Sequence, residues 1–225
     1  MPQTCVVTGA NRGIGLELAR QLCARGDTVI ATARDPDSAS DLKALGVRVE
    51  ALDVERGKSI AAFAKRLKGS AVDVLIHNAA TGVAGPAVER VTAEDVESHF
   101  RVNALGPLLL TQALLPNLRA GERKLVVAIS SGLGSIGENS TGGWVAYRIS
   151  KTALHQVMRT LSAELSKEGL SFVLISPGWV RTRMGGRDAP LSPEDSVRGV
   201  LKVIDRLAPK DTGKFFNERG REMAW

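Results

Sequence analysis

Tyr147 is the only tyrosine among 225 residues, and Lys151 follows it by four positions in the stretch "AYRISK". Residues at i and i+4 share one face of a helix, so the two side chains can meet. A phenol can protonate the alkoxide that forms when a carbonyl is reduced, but its ordinary pKa is about 10. A nearby ammonium in a partly dry site lowers that pKa, so the pair indicates general acid catalysis. The alternative is a surface helix with this spacing by chance.

A second stretch, "TGANRGIG", predicts a site for phosphates. It follows a short apolar run and precedes an amphipathic one, which places Gly9, Gly13 and Gly15 between a strand and a helix. Glycines allow a tight turn and close approach to a pyrophosphate, whose charge the free N–H groups of the helix N-terminus bind. We therefore predict dinucleotide binding rather than an idle turn.

The elements that must position these residues alternate along the chain. Short β-branched runs predict strands, and longer amphipathic stretches between them predict helices. The predicted strands cover 4–9, 27–33, 47–52, 72–78, 124–131, 170–176 and 213–216. The predicted helices cover about 13–25, 38–45, 55–68, 92–117, 144–168 and 192–208. This order predicts an α/β domain, 1–225, with a doubly wound, seven-stranded, mostly parallel sheet and helices on both faces.

In such sheets ligands bind beyond the carboxyl ends of the strands, so the loops after the strands should carry the chemistry. One of these loops, at about 181–195 in "RTRMGGRDAPLSPED", is rich in glycine and proline and is predicted to cover the substrate.

Composition excludes several other classes of function. The charge of +6 comes from Lys and Arg scattered among acids, so we expect no nucleic-acid partner. No apolar run reaches the roughly 20 residues of a membrane span, and no secretory pattern opens the sequence; we expect a soluble cytoplasmic protein. Cys5 and Cys23 are expected to be reduced thiols. His99 and His155 have no partners at ligand spacing, so no metal site is expected, and His77 is expected to be structural.

The motifs, taken in order, resemble those of the short-chain dehydrogenases/reductases. "TGANRGIG", "LDVE", "HNAA", "RVNALGP", "ISS", "YRISK" and "SPGWVRT" each match a motif of that family, with His77 and Ala80 as departures in the fourth-strand motif. The resemblance implies a single-domain Rossmann fold and a nicotinamide cofactor. The cofactor-binding residues that it implies are Thr8, Gly9, Asn11, Arg12, Gly13, Ile14, Gly15, Arg34, Asp53, Val54, Asn78, Ala79, Ala80, Tyr147, Lys151, Pro177, Gly178, Val180 and Thr182.

Two arginines indicate which nicotinamide cofactor is preferred. NAD-specific sites of this fold place an acidic residue after the second strand to bind the ribose hydroxyls. Here that position holds Arg34, and Arg12 precedes Gly13. Two guanidiniums can clamp a 2′-phosphate, so we predict NADP(H) in preference to NAD(H). Two alternatives stay open. A small rotation of the loop could present the Asp35 carboxylate to the ribose of NAD, or both arginines could be solvated surface charges.

The resemblance also implies the catalytic set: Asn103, Ser131, Tyr147 and Lys151. Asn103 would hold a water that links Lys151 to solvent, and Ser131 would orient the substrate oxygen, with Ser135 as the alternative serine. The substrate pocket is expected near residues 80–83, Leu133, Trp144, Trp179 and residues 184–190.

The region after "GSIGEN" looks like the C-factor and Sniffer group of this family. That group implies a reductase for a small carbonyl or alcohol substrate, or alternatively a signalling or sensor protein that binds a dinucleotide and for which turnover is secondary. The resemblance also implies a homodimer, in which the helix that carries Tyr147 and the long helix before it pair across a two-fold axis; apolar residues beyond one stripe of the Tyr147 helix, Leu154 and Met158, agree with this. The insertion before Tyr147 leaves a monomer as the alternative.

Overall fold

In a computed structural model of the chain, residues 2–82 and 87–225 are described. The seven strands are β1 (Thr4–Val7), β2 (Thr28–Ala33), β3 (Arg48–Ala51), β4 (Val74–His77), β5 (Leu125–Ile129), β6 (Ser171–Ser176) and β7 (Lys214–Asn217). They form one sheet in the order β3-β2-β1-β4-β5-β6-β7, and every neighbouring pair is parallel. The prediction of a doubly wound, seven-stranded sheet is confirmed, and these strands are all parallel rather than mostly so.

Helices cover both faces of the sheet. Their bounds are α1 (Gly13–Ala24), α2 (Ser40–Ala44), α3 (Gly57–Arg66), α4 (Ala93–Phe100), α5 (Gly106–Ala120), α6 (Val145–Leu165) and α7 (Pro193–Arg206). Successive side chains of a strand point to opposite faces. Cys5 and Val7 of β1 accordingly join the core under α1 and α7, whereas Val6 joins the core under α3, α5 and α6. The central strands β4, β5 and β6 are buried on both sides, as their continuous apolar runs predicted, whereas β3 at the edge is only partly buried.

The helix predicted over 92–117 is wrong in one respect, because it is interrupted. A π-helical turn at Arg101–Leu105 separates α4 from α5. Pro107 has no N–H to give to the carbonyl four residues earlier, which is that of Asn103. Gly106 is needed at this break, since a Cβ there would lie 2.7 Å from the Val54 carbonyl oxygen. The interruption brings Asn103 to the carboxyl edge of the sheet.

The two residues that were predicted to form the dimer interface are not exposed. Leu154 and Met158 are buried in the core beneath α6, and therefore they offer nothing to a partner. The exposed apolar side chains on this side of the molecule are Phe100, 40% exposed at the end of α4, and Ile149, 44% exposed on α6. The dimer remains a prediction, with these two residues replacing the earlier pair.

The loop predicted over 181–195 is shorter than expected. Ser192 caps the N-terminus of α7 by accepting a hydrogen bond from the Asp195 N–H, so the loop ends at Leu191. Leu191 pairs with Val180 in an isolated parallel bridge, which closes the loop at its base. Within the described residues, no helix has the length and apolarity that crossing a membrane requires.

Candidate active site

The glycine turn after β1 is locked to the loop after β4. The hydroxyl oxygen of Thr8 accepts hydrogen bonds from the N–H groups of Asn78 and Ala79, both at 3.0 Å. The Asn78 amide nitrogen donates to the carbonyls of Thr8 and Gly9 at 2.9 and 3.0 Å. Gly9 has φ +62°, and a Cβ on it would lie 2.8 Å from the Ala79 Cα. The structure thus brings together two motifs that lie about 70 residues apart in sequence.

Three arginines converge where α1 begins. A Cβ on Gly13 would lie 3.4 Å from the Thr182 methyl, so the loop after β6 comes close to the start of α1. Burial together with the charges of Arg183 and Arg34 lowers the pKa of Arg12. None of the three has a salt bridge within the part of the chain that is described. Arg183 was not among the residues singled out from the sequence.

The side chain of Asp35 is engaged in a local turn. One of its carboxylate oxygens accepts from the Asp37 N–H at 3.0 Å, and its carbonyl accepts from the Ser38 hydroxyl. Arg34, one residue earlier, is exposed directly after β2. This arrangement favours the arginine over the aspartate as the group that meets a ligand at the end of β2.

The loops after β3 and β6 border the same edge. Asp53 is fixed by its N–H, which donates to the Ser59 hydroxyl, and Val54 packs against the start of α5. After β6, the Pro177 carbonyl accepts from the Ser196 hydroxyl at 2.6 Å. Gly178 has φ +80°, and a Cβ on it would lie 2.5 Å from a Leu191 methyl.

The other residues expected to bind the cofactor lie in these loops or next to them. Ile14 packs against the core from α1, and Val180 is buried at the base of the loop that ends at Leu191. Asn11 and Ala80 lie in the turns after β1 and β4, and Gly15 lies in the first turn of α1, where a Cβ would lie 2.4 Å from the Asn78 amide nitrogen.

Tyr147 is held in a tight pocket. Its side chain is buried, its ring lies edge-on to those of Trp144 and His99, and a Cβ on Gly82 would lie 2.9 Å from it. Burial raises the pKa of Tyr147 to about 12, while a hydrogen bond with Ser131 lowers it. The side chains around the phenol therefore keep it protonated near neutral pH. The lowering of its pKa toward 7 was expected from Lys151 together with the positive charge of an oxidised nicotinamide, and it stays a prediction.

The two candidate serines have different surroundings. The Ser131 hydroxyl faces Tyr147 and also accepts a hydrogen bond from the Leu133 N–H at 3.1 Å. The Ser135 hydroxyl instead donates to the Trp225 main-chain oxygen and accepts from the Glu138 N–H, each at 3.1 Å. This geometry favours Ser131 as the serine beside the tyrosine.

Lys151 is buried beneath Tyr147. Its Nζ lies 5.8 Å from the centre of the tyrosine ring and donates to the Ile129 carbonyl at 3.0 Å. Burial lowers the pKa of Lys151 to about 8. Of the three N–H groups that an ammonium can donate, one is used by this bond. The remaining donors can serve a ligand or water.

The side chain of Asn103 is fully used inside the protein. Its amide nitrogen donates to the Thr81 carbonyl and to the Ser150 hydroxyl, and its amide oxygen accepts from the Thr81 N–H. Ser150 in turn donates to the Tyr147 carbonyl at 2.7 Å. A water held by Asn103 would therefore bind its main-chain carbonyl. That carbonyl would normally accept from the N–H four residues later, but Pro107 at that position has no N–H. Ser150, which links Asn103 to the tyrosine helix, is a contact that the sequence motifs did not indicate.

The residues expected to line the substrate pocket are only partly brought together. Met184 from the loop reaches the space over Gly82, where its sulfur would lie 3.1 Å from a Cβ, beside the Tyr147 ring. Trp179 is 57% exposed and donates from its ring nitrogen to the Gly185 carbonyl, so it braces the loop. Leu133 is half-buried, and Val83 lies outside the described residues.

The histidines support the structural interpretation. The Nε2 of His77 lies 2.8 Å from the Thr111 hydroxyl, and burial lowers the pKa of His77 to about 3. In the described part of the chain, no three His, Cys, Asp or Glu side chains are grouped so that they could hold a metal ion.

The chain is similar to known proteins of one family. The family model for short chain dehydrogenases matches residues 3–190. C-signal of Myxococcus xanthus is 46% identical over 164 residues, covering 73% of this chain and 99% of that protein. The structure of NADPH-bound carbonyl reductase from chicken fatty liver has a TM-score of 0.92 at 36% identity, covering 100% of this chain and 99% of the other. Carbonyl reductase Sniffer of D. melanogaster has a TM-score of 0.94 at 28% identity, with full coverage of both chains.

The chain therefore belongs to the short-chain dehydrogenase family, and it shares the Rossmann-type fold of carbonyl reductases throughout its length. Membership in this family makes it an oxidoreductase.

Proposed function

We propose that the protein is an NADP(H)-dependent carbonyl reductase. In this proposal Tyr147 is the general acid, Ser131 orients the substrate oxygen, and the ammonium of Lys151 stabilises the phenolate that forms. The observation that carries this proposal is the buried Lys151 beside the buried Tyr147: its Nζ lies 5.8 Å from the centre of the tyrosine ring and donates to the Ile129 carbonyl at the end of β5, two residues before Ser131. The same three groups lie at the carboxyl edge of the sheet, beside the glycine turn that follows β1.

The residues at this edge fit a nicotinamide dinucleotide. No side chain caps the N-terminus of α1, which leaves its N–H groups for a pyrophosphate. Gly9 and Gly13 adopt positive φ there, and they keep side chains out of the space in which phosphates would approach. Lys151 has donors left for the ribose hydroxyls, as the resemblance to the family implies.

When bound, the reduced nicotinamide supplies a hydride to the carbonyl carbon. The Ser131 hydroxyl donates a hydrogen bond to the carbonyl oxygen and holds it beside the phenol. Tyr147 transfers its proton to that oxygen as the C–H bond forms, so an aldehyde or ketone becomes an alcohol and the tyrosine becomes a phenolate. The ammonium of Lys151 stabilises the phenolate, and a proton returns from solvent past Lys151 and the Asn103 carbonyl.

Preference for NADP(H) is supported by the unpaired guanidiniums around Gly13. Arg12 and Arg34 form a pair of donors for a 2′-phosphate, and Arg183 adds a third positive charge nearby. Bringing such charges together costs energy unless an anion lies between them, so their clustering favours a ligand with an additional phosphate. The NADPH-bound carbonyl reductase noted above is consistent with this choice.

The substrate is proposed to be an apolar or aromatic carbonyl compound. The Trp144 ring contacts the Tyr147 ring edge to face, and the Met184 thioether lies beside the tyrosine over Gly82. Apolar side chains next to the reacting phenol favour a ligand of the same character.

A signalling or sensor protein that binds the dinucleotide is the second candidate, because the Myxococcus xanthus relative is named C-signal. Such a protein would need the phosphate site but would not need a proton donor beside Ser131.

The decisive first experiment measures NADPH oxidation by the purified protein against a panel of aldehydes, ketones and quinones. The proposal expects turnover of at least one aromatic member. NADPH binding without turnover of any member would favour the second candidate.

A further inference from the structure

The segment Met223–Trp225 contacts the stretch between Ser131 and Tyr147. The Trp225 main-chain oxygen accepts hydrogen bonds from the N–H groups of Ile136 and Gly137, both at 3.0 Å. The Ser135 hydroxyl donates to the same oxygen at 3.1 Å. Three donors therefore converge on one acceptor, and they fix the residues that follow Ser131.

The ring contacts of Trp225 anchor the residue whose main-chain oxygen binds these donors. Its ring lies edge-on to the His155 ring, with centroids 5.6 Å apart and planes at 89°, and the Arg159 guanidinium lies 5.9 Å from its centre. Met223 anchors the segment to β7 through an N–H that donates to the Phe215 carbonyl at 2.8 Å. Such aromatic and cation–π contacts add specific geometry to burial.

His155 links the Trp225 ring to the end of β5. Its Nε2 lies 2.7 Å from the hydroxyl of Ser130, the residue before Ser131, and both side chains are buried. The His155 ring also packs against Phe215, with centroids 4.7 Å apart. Burial together with the charge of Lys151 lowers the pKa of His155 to about 4, so the ring is neutral at pH 7.

There is little free space in this arrangement. A Cβ on Gly134 would lie 2.9 Å from both the His155 ring and the Lys151 Cβ. The Thr152 hydroxyl donates to the Gly134 carbonyl at 2.9 Å, which ties the same turn to α6. A shift of the His155 ring would therefore be transmitted to the turn that begins at Ser131.

We infer that Met223–Trp225 positions the Ser131 hydroxyl for catalysis, acting through Ser135 on one side and through His155 and Ser130 on the other. Trp225, Ser135 and His155 are positioning residues, since they touch neither the tyrosine hydroxyl nor the space before it. The inference rests on the proposed function only in naming Ser131 as the group that contacts the substrate. A misplacement of about 1 Å at such a group can cost about 100-fold in rate.

The test compares Trp225→Ala with Trp225→Phe, which keeps an aromatic ring against His155, and with Arg221→Ala, an exposed change in the same region. Steady-state kinetics are measured with NADPH and the best carbonyl substrate from the panel, together with NADPH affinity by fluorescence titration. We expect Trp225→Ala to lower kcat by about 10- to 100-fold, while NADPH affinity stays at the parent value. Trp225→Phe should recover most of the rate, and Arg221→Ala should match the parent.

The comparison of kcat with NADPH affinity separates positioning from mere loss of stability. Because the Ser131 hydroxyl acts on the reacting oxygen and not on the cofactor, its misplacement in Trp225→Ala should lower kcat and leave NADPH affinity at the parent value. A variant with an unchanged kcat would overturn the inference. So would a loss of kcat that is matched by an equal loss of NADPH binding, because that points to general unfolding.

Hydrogen exchange provides a second measurement that needs no activity. The amides of Ile136 and Gly137 should lose protection in Trp225→Ala and keep it in Arg221→Ala, while amides of β4 remain protected in both. Unchanged protection of Ile136 and Gly137 would contradict the anchoring itself. If the parent protein reduced no carbonyl compound, the proposed function would fail while this exchange experiment still decided whether the segment is an anchor.

Discussion

The Nζ of Lys151 lies 5.8 Å from the centre of the Tyr147 ring, and burial shifts the pKa values of the two groups apart. The pKa of Tyr147 rises to about 12, and that of Lys151 falls to about 8. At pH 7 the pair therefore consists of a neutral phenol and an ammonium, which is the state that can donate a proton to an alkoxide. The charge on the lysine is maintained at a cost in stability.

Replacing Lys151 by methionine should stabilise the protein while it abolishes turnover. Because the pKa of Lys151 lies below its ordinary value of 10.5, the unfolded chain binds more protons between about pH 8 and 10.5. The loss of folding stability caused by burying the ammonium is complete below pH 8 and disappears as the pH rises from about 8 to 10.5. Urea unfolding at pH 7 should show a gain of up to about 3 kcal/mol, which shrinks toward pH 10.

Lys202→Met, at an exposed position of α7, is the matched control and should change stability little at either pH. A loss of stability in Lys151→Met at pH 7 would mean that the hydrogen bond to the Ile129 carbonyl outweighs the cost of burying the ammonium.

Reversing the charge at Arg34 should change the cofactor preference. Arg34→Asp removes one donor for the 2′-phosphate and places a carboxylate near it, whereas NAD(H) lacks that phosphate. We expect NADPH affinity to fall by about 100-fold or more relative to NADH affinity. Fluorescence titration with both reduced cofactors measures the ratio. Arg221→Asp, after the strand at the opposite edge of the sheet, controls for net charge. Equal affinities in the parent protein would refute the NADP(H) assignment.

The oligomeric state can be tested at the apolar side chains that α4 and α6 expose. A carboxylate at Ile149, 44% exposed, would be buried without a partner in an isologous helix interface. We expect the parent protein to have the mass of two chains by light scattering, and Ile149→Glu to have the mass of one. Lys202→Glu, an exposed change on α7, which packs on the other face of the sheet, should leave the mass at two chains. A parent protein with the mass of one chain would reject the dimer.

The sheet was predictable because its strands are short, apolar and β-branched, and because strand–helix alternation admits few topologies. The interruption at 101–105 was not, since it depends on Val54 approaching Gly106 from a distant segment. Neither were the partners of Asn103 nor the proximity of Arg183 to Arg12, because sequence spacing carries no information on contacts between loops. Leu154 and Met158 were misassigned because an apolar residue on a helix is ambiguous until its neighbours are known.

The roles of the site residues stay predictions until they are measured, and Tyr147→Phe tests the central one most directly. This change removes the phenolic hydroxyl and keeps the ring against Trp144 and Gly82. NADPH affinity and NADPH-dependent reduction of the best carbonyl substrate should be measured on the same preparation. The account predicts parent-like NADPH binding with turnover reduced by at least about 100-fold, the usual range for loss of a general acid. Reduction at the parent rate by Tyr147→Phe would contradict the assignment of Tyr147 as the proton donor.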